Sequence, residues 1–303
     1  MSSSNEAERR NLFVGQDSHV GYERLVNEDD FGWFSTPNGE LLVIADGLSG
    51  QAGGGVASRL AVSAFKEVMN IGSNEPAGLL LKKAVLAADD SIAEAGENYP
   101  ELRGLGSSLV ALLVRGAEVW YIHVGDSRLY LSTPQGLNLL TRDHSFKQQE
   151  LDAGRISARE AAEDMEEQFL VQTLGTEVNA GALHVGHRDC RTDDIFLLCT
   201  SGLPALVRDQ EMQRVLQQSF TPQVKARKLI EVALQTGGAD NITVQVASFK
   251  PGKEDGRSPA TGRAKSGRGF IVGLVCGLVL GVGGWYAWNK WGRLAWEALF
   301  SGQ

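Results

Sequence analysis

Four short apolar runs in this chain meet an acidic residue at one end. ELLVIAD at 40–46 stops at Asp46-Gly47, and EVWYIHVG at 118–125 is followed by Asp126. Asp240 precedes the run 241–249, and Glu28-Asp29 opens the stretch toward Phe31 and Trp33. Runs of this length, β-branched and aromatic and bounded by turn formers, read as strands. A carboxylate at the end of a buried strand is held rigidly at the rim of the core. Several converging there repel one another strongly unless a cation neutralises them. With no His or Cys among them, the donor set favours a hard ion, Mg2+ or Mn2+, over zinc. One Asp-Gly is an ordinary turn. Four such strand ends constrain fold and chemistry together.

Further β-rich runs lie at 108–115, 128–133, 182–188 and 194–200, and Arg115-Gly116-Ala117 predicts a hairpin between the runs on either side. Two consecutive segments, 55–70 and 76–96, carry apolar residues at helical spacing. Runs of strands interrupted by a helix pair predict an α+β fold, with helices covering an antiparallel core, because the alternation of a parallel βαβ sheet is missing.

The three cysteines, Cys190, Cys199 and Cys276, form no C-x-x-C pair and read as reduced thiols. The polar start MSSSNEAERRN carries no secretory signal. The formal charge of -8 divides unevenly, +4 from Gly252 onward and -12 before it, which argues against nucleic-acid binding by the acidic part. Residues 251–269 are rich in Gly, Pro, Ser and charge and predict a flexible linker. Residues 270–288 are uncharged and apolar, close to the roughly 20 needed to cross a bilayer, with Trp285, Tyr286, Trp288 and Trp291 clustered at the end. Five basic residues before the run and two after it predict that the N-terminal domain stays in the cytoplasm, with 289–303 as a short tail. Gly273, Gly277 and Gly281 add two G-x-x-x-G spacings.

Arg24 lies four residues before Glu28. Beside a dinuclear carboxylate site, its guanidinium would grip a phosphate bidentately. Ser18-His-Val-Gly-Tyr-Glu-Arg24 with Asn27-Glu-Asp29 resembles the opening motif of the metal-dependent type 2C (PPM-type) Ser/Thr protein phosphatases. Ala45-Asp-Gly-Leu-Ser-Gly50 is similar to that family's Asp-Gly-x-x-Gly turn. Gly106-Ser-Ser108, Val124-Gly-Asp-Ser-Arg128, Thr141-Arg-Asp-His144, Leu174-Gly175 and Ala239-Asp-Asn-Ile-Thr243 follow in the family's order, and Gly154-Arg-Ile-Ser157 resembles part of the flap of bacterial members. The resemblance covers nearly all of 11–249, within a domain set at 8–250. It implies a four-layer α-β-β-α sandwich flanked by helix pairs, with two Mn2+ or Mg2+ ions and a looser third at one end. By position, Asp46 would bridge the two ions, Glu28 and the Gly47 carbonyl would hold one, and Asp240 the other. Asp126 would hold the third ion and Arg24 the substrate phosphate, with His19, Asp29 and Asn241 ordering the surroundings. The implied reaction is hydrolysis of phosphoserine and phosphothreonine in proteins, opposing a Ser/Thr kinase at the bacterial inner membrane.

Two positions depart from the pattern. Ser201, in Thr200-Ser201-Gly202, stands where the family places a metal-binding aspartate, and His19 stands where an Asp is common. Ser201 reads three ways: a vacated ligand position, a plain turn residue, or a nucleophile. The last lacks a G-x-S-x-G elbow and any assignable His–acid pair. A hydroxyl brings no negative charge, so a metal there would be held more weakly. Three functions follow: a membrane-anchored phosphatase weakened at Ser201, a catalytically inactive pseudophosphatase that binds phosphoproteins or a kinase, and a small-molecule phosphohydrolase.

Overall fold

The structure, a computed structural model, describes residues 10–48, 53–157, 159–160 and 169–251. The 270–288 run, the 289–303 tail and the 251–269 linker lie outside these residues, except Pro251, which the last strand takes in. Among the described residues no helix is long and apolar enough to cross a membrane.

Among the described residues ten strands form two antiparallel five-stranded sheets. One has the order β1 (Arg10–His19), β10 (Ile242–Pro251), β9 (Ile195–Cys199), β6 (Arg128–Thr133), β7 (Gly136–Leu139). The other runs β2 (Asp29–Thr36), β3 (Gly39–Leu48), β4 (Gly106–Arg115), β5 (Glu118–Val124), β8 (Val185–Asp189). The expected hairpin is present: Arg115 pairs with Glu118, and Gly116 turns the chain at φ 61°.

Strands of antiparallel sheets commonly alternate apolar and polar residues because one face meets water. Here the central strands do not. In β3, Leu41 and Val43 join α1 (Gly54–Asn70) and α2 (Ala77–Asn98) in one core cluster, while Leu42 and Ile44 join the opposite sheet in another. Both faces are covered, so the run is apolar throughout. A third cluster packs β6, β9 and β10 against α4 (Gly202–Leu206), α5 (Asp209–Gln217) and α6 (Pro222–Gln235). Two helix layers thus enclose two sheets, as the resemblance implied. A short helix α3 (Phe146–Asp152), capped by the Ser145 hydroxyl, sits in the connection after β7.

The sequence reading placed no strand at β1 or β7 and no helices between 202 and 235. It also started β8 three residues early, at 182 rather than Val185.

Candidate metal centre

Register brings the acids together. Asp29 on β2 lies directly opposite Asp46 on β3, and Asp46 opposite Ser108 on β4. The neighbouring sheet contributes the Thr200–Ser201 turn at the end of β9 and Asp240-Asn241 at the start of β10. The two groups are laced by hydroxyls. Thr200 and Thr243 both donate to Asp29 Oδ2, at 3.0 and 2.6 Å, and Ser201 Oγ donates to Asp46 Oδ2 at 3.2 Å.

Two glycines allow the end of β3 to meet the start of α1. A Cβ on Gly47 would fall 2.0 Å from the Gly54 carbonyl oxygen, and one on Gly54 would fall 2.5 Å from the Gly47 carbonyl oxygen and 2.8 Å from Glu28 Oε1. The Gly47 carbonyl and the Glu28 carboxylate therefore face one small space. Glu28 Oε1 also accepts the Gly54 amide at 2.9 Å, placing a carboxylate at a helix N-terminus, where backbone N–H groups favour negative charge.

Gly125, at φ 87°, brings the β5–β6 turn against Ser108 and aims Asp126 inward. The next residue, Ser127, shares a 2.6 Å hydrogen bond with Ser108. Behind Asp126, Arg128 clamps Asp143 with two bonds of 2.9 and 2.6 Å. His144 accepts the Gly125 amide, and His123 is buried with its Nε2 at 2.7 Å from the Arg142 carbonyl, so both act within the framework.

The electrostatics follow from this crowding. Burial, then the charges of Asp29, Asp126 and Asp240, hold the Asp46 carboxyl well above the usual range, against the pull of the Ser201 hydroxyl. Burial is also the main cause that raises Asp29 and Asp126, each to about 6. Asp126 Oδ1 is buried and accepts no hydrogen bond. A buried acceptor left unmet among mutually repelling carboxylates fits a site for a cation. With no sulfur or imidazole in the set, the donors suit Mn2+ or Mg2+.

Arg24 stands at the open edge, its side chain 53% exposed, and forks onto Asp240 with contacts of 2.9 and 3.3 Å. Asn241 lies beneath. Its Nδ2 donates to the Val20 and Val26 carbonyls at 2.9 and 3.0 Å, and its Oδ1 accepts the Glu28 amide at 2.8 Å. One buried side chain thus closes the loop that carries Arg24 and sets the backbone of Glu28. His19 uses Nδ1 to accept the Gly21 amide and sits edge-on to Tyr22, so its role is in the same turn.

All ten residues singled out in the sequence belong to this one region. Sequence reasoning missed Thr200 and Thr243 as clamps on Asp29, although their place beside Ser201 and Asn241 was a signal. It also missed Glu118, His187 and Asp189, whose donor atoms lie within 4.8 Å of one another on the exposed β5–β8 edge. Glu118 begins β5, whereas Asp126 follows its end, so this trio is a separate group.

Residues 16–242 match the family described as protein phosphatase 2C. The chain is 38% identical over 236 residues to the serine/threonine protein phosphatase PstP of Mycobacterium tuberculosis, covering 76% of this chain but 43% of that relative's length. It is 34% identical over 231 residues to the serine/threonine phosphatase stp of Listeria monocytogenes, covering 74% of this chain and 90% of the relative. Among solved structures, the catalytic domain of PstP in complex with two manganese ions superposes with a TM-score of 0.71 at 34% identity, over 80% of this chain and 99% of that one.

Proposed function

The chain belongs to the protein phosphatase 2C family, and from that membership we propose that it hydrolyses phosphoserine and phosphothreonine in proteins, using Mn2+ or Mg2+. The observation that carries this reading is the gathering of Asp29, Asp46, Asp126 and Asp240, with an unmet oxygen on Asp126. In the proposed assignment Asp46, Glu28, the Gly47 carbonyl and Asp240 would hold the ions, and Asp126 would hold a further one. When bound, the ions neutralise these carboxylates and supply an activated water for attack on phosphorus. Arg24 binds and orients the substrate phosphate through its planar fork. Asn241 and His19 hold the Arg24 loop in place, and Thr200 and Thr243 fix the Asp29 carboxyl facing Asp46.

Ser201 takes the position of a missing carboxylate in this assignment. Its hydroxyl faces Asp46, which favours a vacated ligand over a plain turn residue. The side shared by Asp46 and Asp240 then lacks one negative charge and demands a high ion concentration. Ser201 also favours a second reading, a pseudophosphatase that binds phosphoproteins without turning them over.

In the whole-chain arrangement proposed here, the 8–250 domain works at the cytoplasmic face of the bacterial inner membrane. The 251–269 linker tethers it to a membrane span at 270–288, followed by the 289–303 tail, and a Ser/Thr kinase supplies its substrates. The basic flank and the length of the apolar run support this.

The test is phosphopeptide hydrolysis over a Mn2+ titration, with parent, Asp46→Asn and Ser201→Asp. Weak turnover that needs high Mn2+, lost in Asp46→Asn, is expected. Tight phosphopeptide binding with no turnover at any Mn2+ level would establish the second reading instead.

A further inference from the structure

The loop that carries Arg24 holds an apolar tip out into solvent. Leu25 is 97% exposed, and Tyr22 and Val26 are exposed beside it. The loop is braced rather than slack. The Tyr22 amide donates to the Gly238 carbonyl at 2.6 Å, and the Tyr22 ring lies against Gly238. Asn241 ties down Val20 at one end and Val26 at the other. Arg24 is itself held on Asp240.

A single exposed leucine is ordinary on a protein surface. Leu25 differs in its place, adjacent in sequence to the guanidinium proposed to anchor the phosphate and fixed there by a closed loop. A phosphorylated chain that reaches Arg24 brings its neighbouring residues over Leu25 and Val26. Apolar neighbours would leave water on contact, and little ordering cost would be added, because the loop is already set. Acidic neighbours would meet Glu23, which is exposed on the other side of Arg24. A small phosphate ester has no such flank to place.

We infer that Leu25, supported by Val26, determines specificity, selecting phosphopolypeptides with an apolar residue next to the phosphorylated Ser or Thr. This rests on the proposed reading of Arg24 as the phosphate anchor.

The experiment uses two phosphopeptides that differ only in having leucine or glutamate on both sides of phosphoserine. kcat/KM with Mn2+ and fluorescence-anisotropy affinities are measured for the full chain and for Leu25→Asn and Leu25→Met. The parent should favour the leucine-flanked peptide about tenfold, the scale of partly burying one aliphatic side chain. Leu25→Met should keep the preference and Leu25→Asn should bring it close to one. No preference in the parent, or the same preference in Leu25→Asn, would overturn the inference. Hydrolysis of p-nitrophenyl phosphate by the parent, lost in Asp46→Asn, reads the underlying site separately. With that activity present and no peptide preference, the site stands and the role of Leu25 falls. With neither that activity nor phosphopeptide binding, both fall.

Discussion

The Ser201 hydroxyl donates to a carboxylate oxygen of Asp46 across 3.2 Å. It is a neutral group placed where Asp29, Asp126 and Asp240 already act on the same carboxylate. A hydroxyl there relieves repulsion in the metal-free protein at the expense of affinity for a cation. Ser201→Asp therefore has opposite effects in two conditions. Without metal, a further like charge should destabilise the fold by about 1–3 kcal/mol, visible as a lower Tm. With saturating Mn2+ the variant should melt above the parent and reach half-saturation at lower Mn2+. Thermal unfolding with and without Mn2+ checks both signs, and a variant that melts below the parent in both conditions would remove position 201 from the ligand set.

The metal-free protein should lose stability as pH rises from about 4 to about 6. Asp29 and Asp126 hold their protons up to about 6 in the fold but release them near 3.8 when unfolded. In that window the native state binds more protons than the unfolded chain, so rising pH favours unfolding, and the part due to Asp29 and Asp126 levels off above about 6. The expected size is about 3 kcal/mol for each group. Denaturant midpoints in chelator should be higher at pH 5 than at pH 7, and Mn2+ should erase the difference. A metal-free midpoint that climbs from pH 5 to pH 7 would contradict the buried cluster.

Asn241→Ala should be among the most damaging single changes near the site. Asn241 is 6% exposed, and its loss strands the Val20 and Val26 carbonyls and the Glu28 amide. Leaving such groups without partners costs about 2–4 kcal/mol in all. Because the same bonds close the loop bearing Arg24, KM for phosphopeptide should rise as well. Urea unfolding and steady-state kinetics test the two effects, and a variant as stable as the parent would mean that the loop is held by other contacts.

Much of this was legible from the chain, and the gaps have physical causes. The β3 and β4 runs stand out because both of their faces are buried, and the α1–α2 pair stands out because each helix turns one apolar face to a sheet. β1 was missed because Arg10–His19 mixes Asn, Gln, Asp and Ser with its apolar residues, and β7 because four residues carry too short a pattern. In α5 three buried residues, Met212, Val215 and Leu216, sit among polar ones, so the apolar stripe is narrow. At the site, Asp46, Asp126 and Asp240 announced themselves by ending or opening apolar runs. The bonds of Asn241 did not, since its partners at 20, 26 and 28 are more than 200 residues away and only the resemblance pointed to it. Nor did the Arg24 fork onto Asp240, which depends on how β1 and β10 pair rather than on either local pattern.

That fork yields the remaining prediction. Arg24 and Asp240 are 53% and 39% exposed, so their ion pair should contribute less than about 1 kcal/mol to stability. Its significance is competitive. The guanidinium holds the carboxylate proposed to take one of the ions, so a cation at Asp240 has to displace it or share the charge. Removing the arginine frees Asp240 for metal while depriving phosphate of its anchor. Arg24→Gln should therefore bind Mn2+ a few-fold more tightly at an almost unchanged Tm, yet show a phosphopeptide KM raised about tenfold or more, the scale of a lost charge-assisted fork. Isothermal titration with Mn2+ reads the first effect and steady-state kinetics the second. A weaker Mn2+ affinity in Arg24→Gln would show that the arginine organises Asp240 for the ion rather than competing with it.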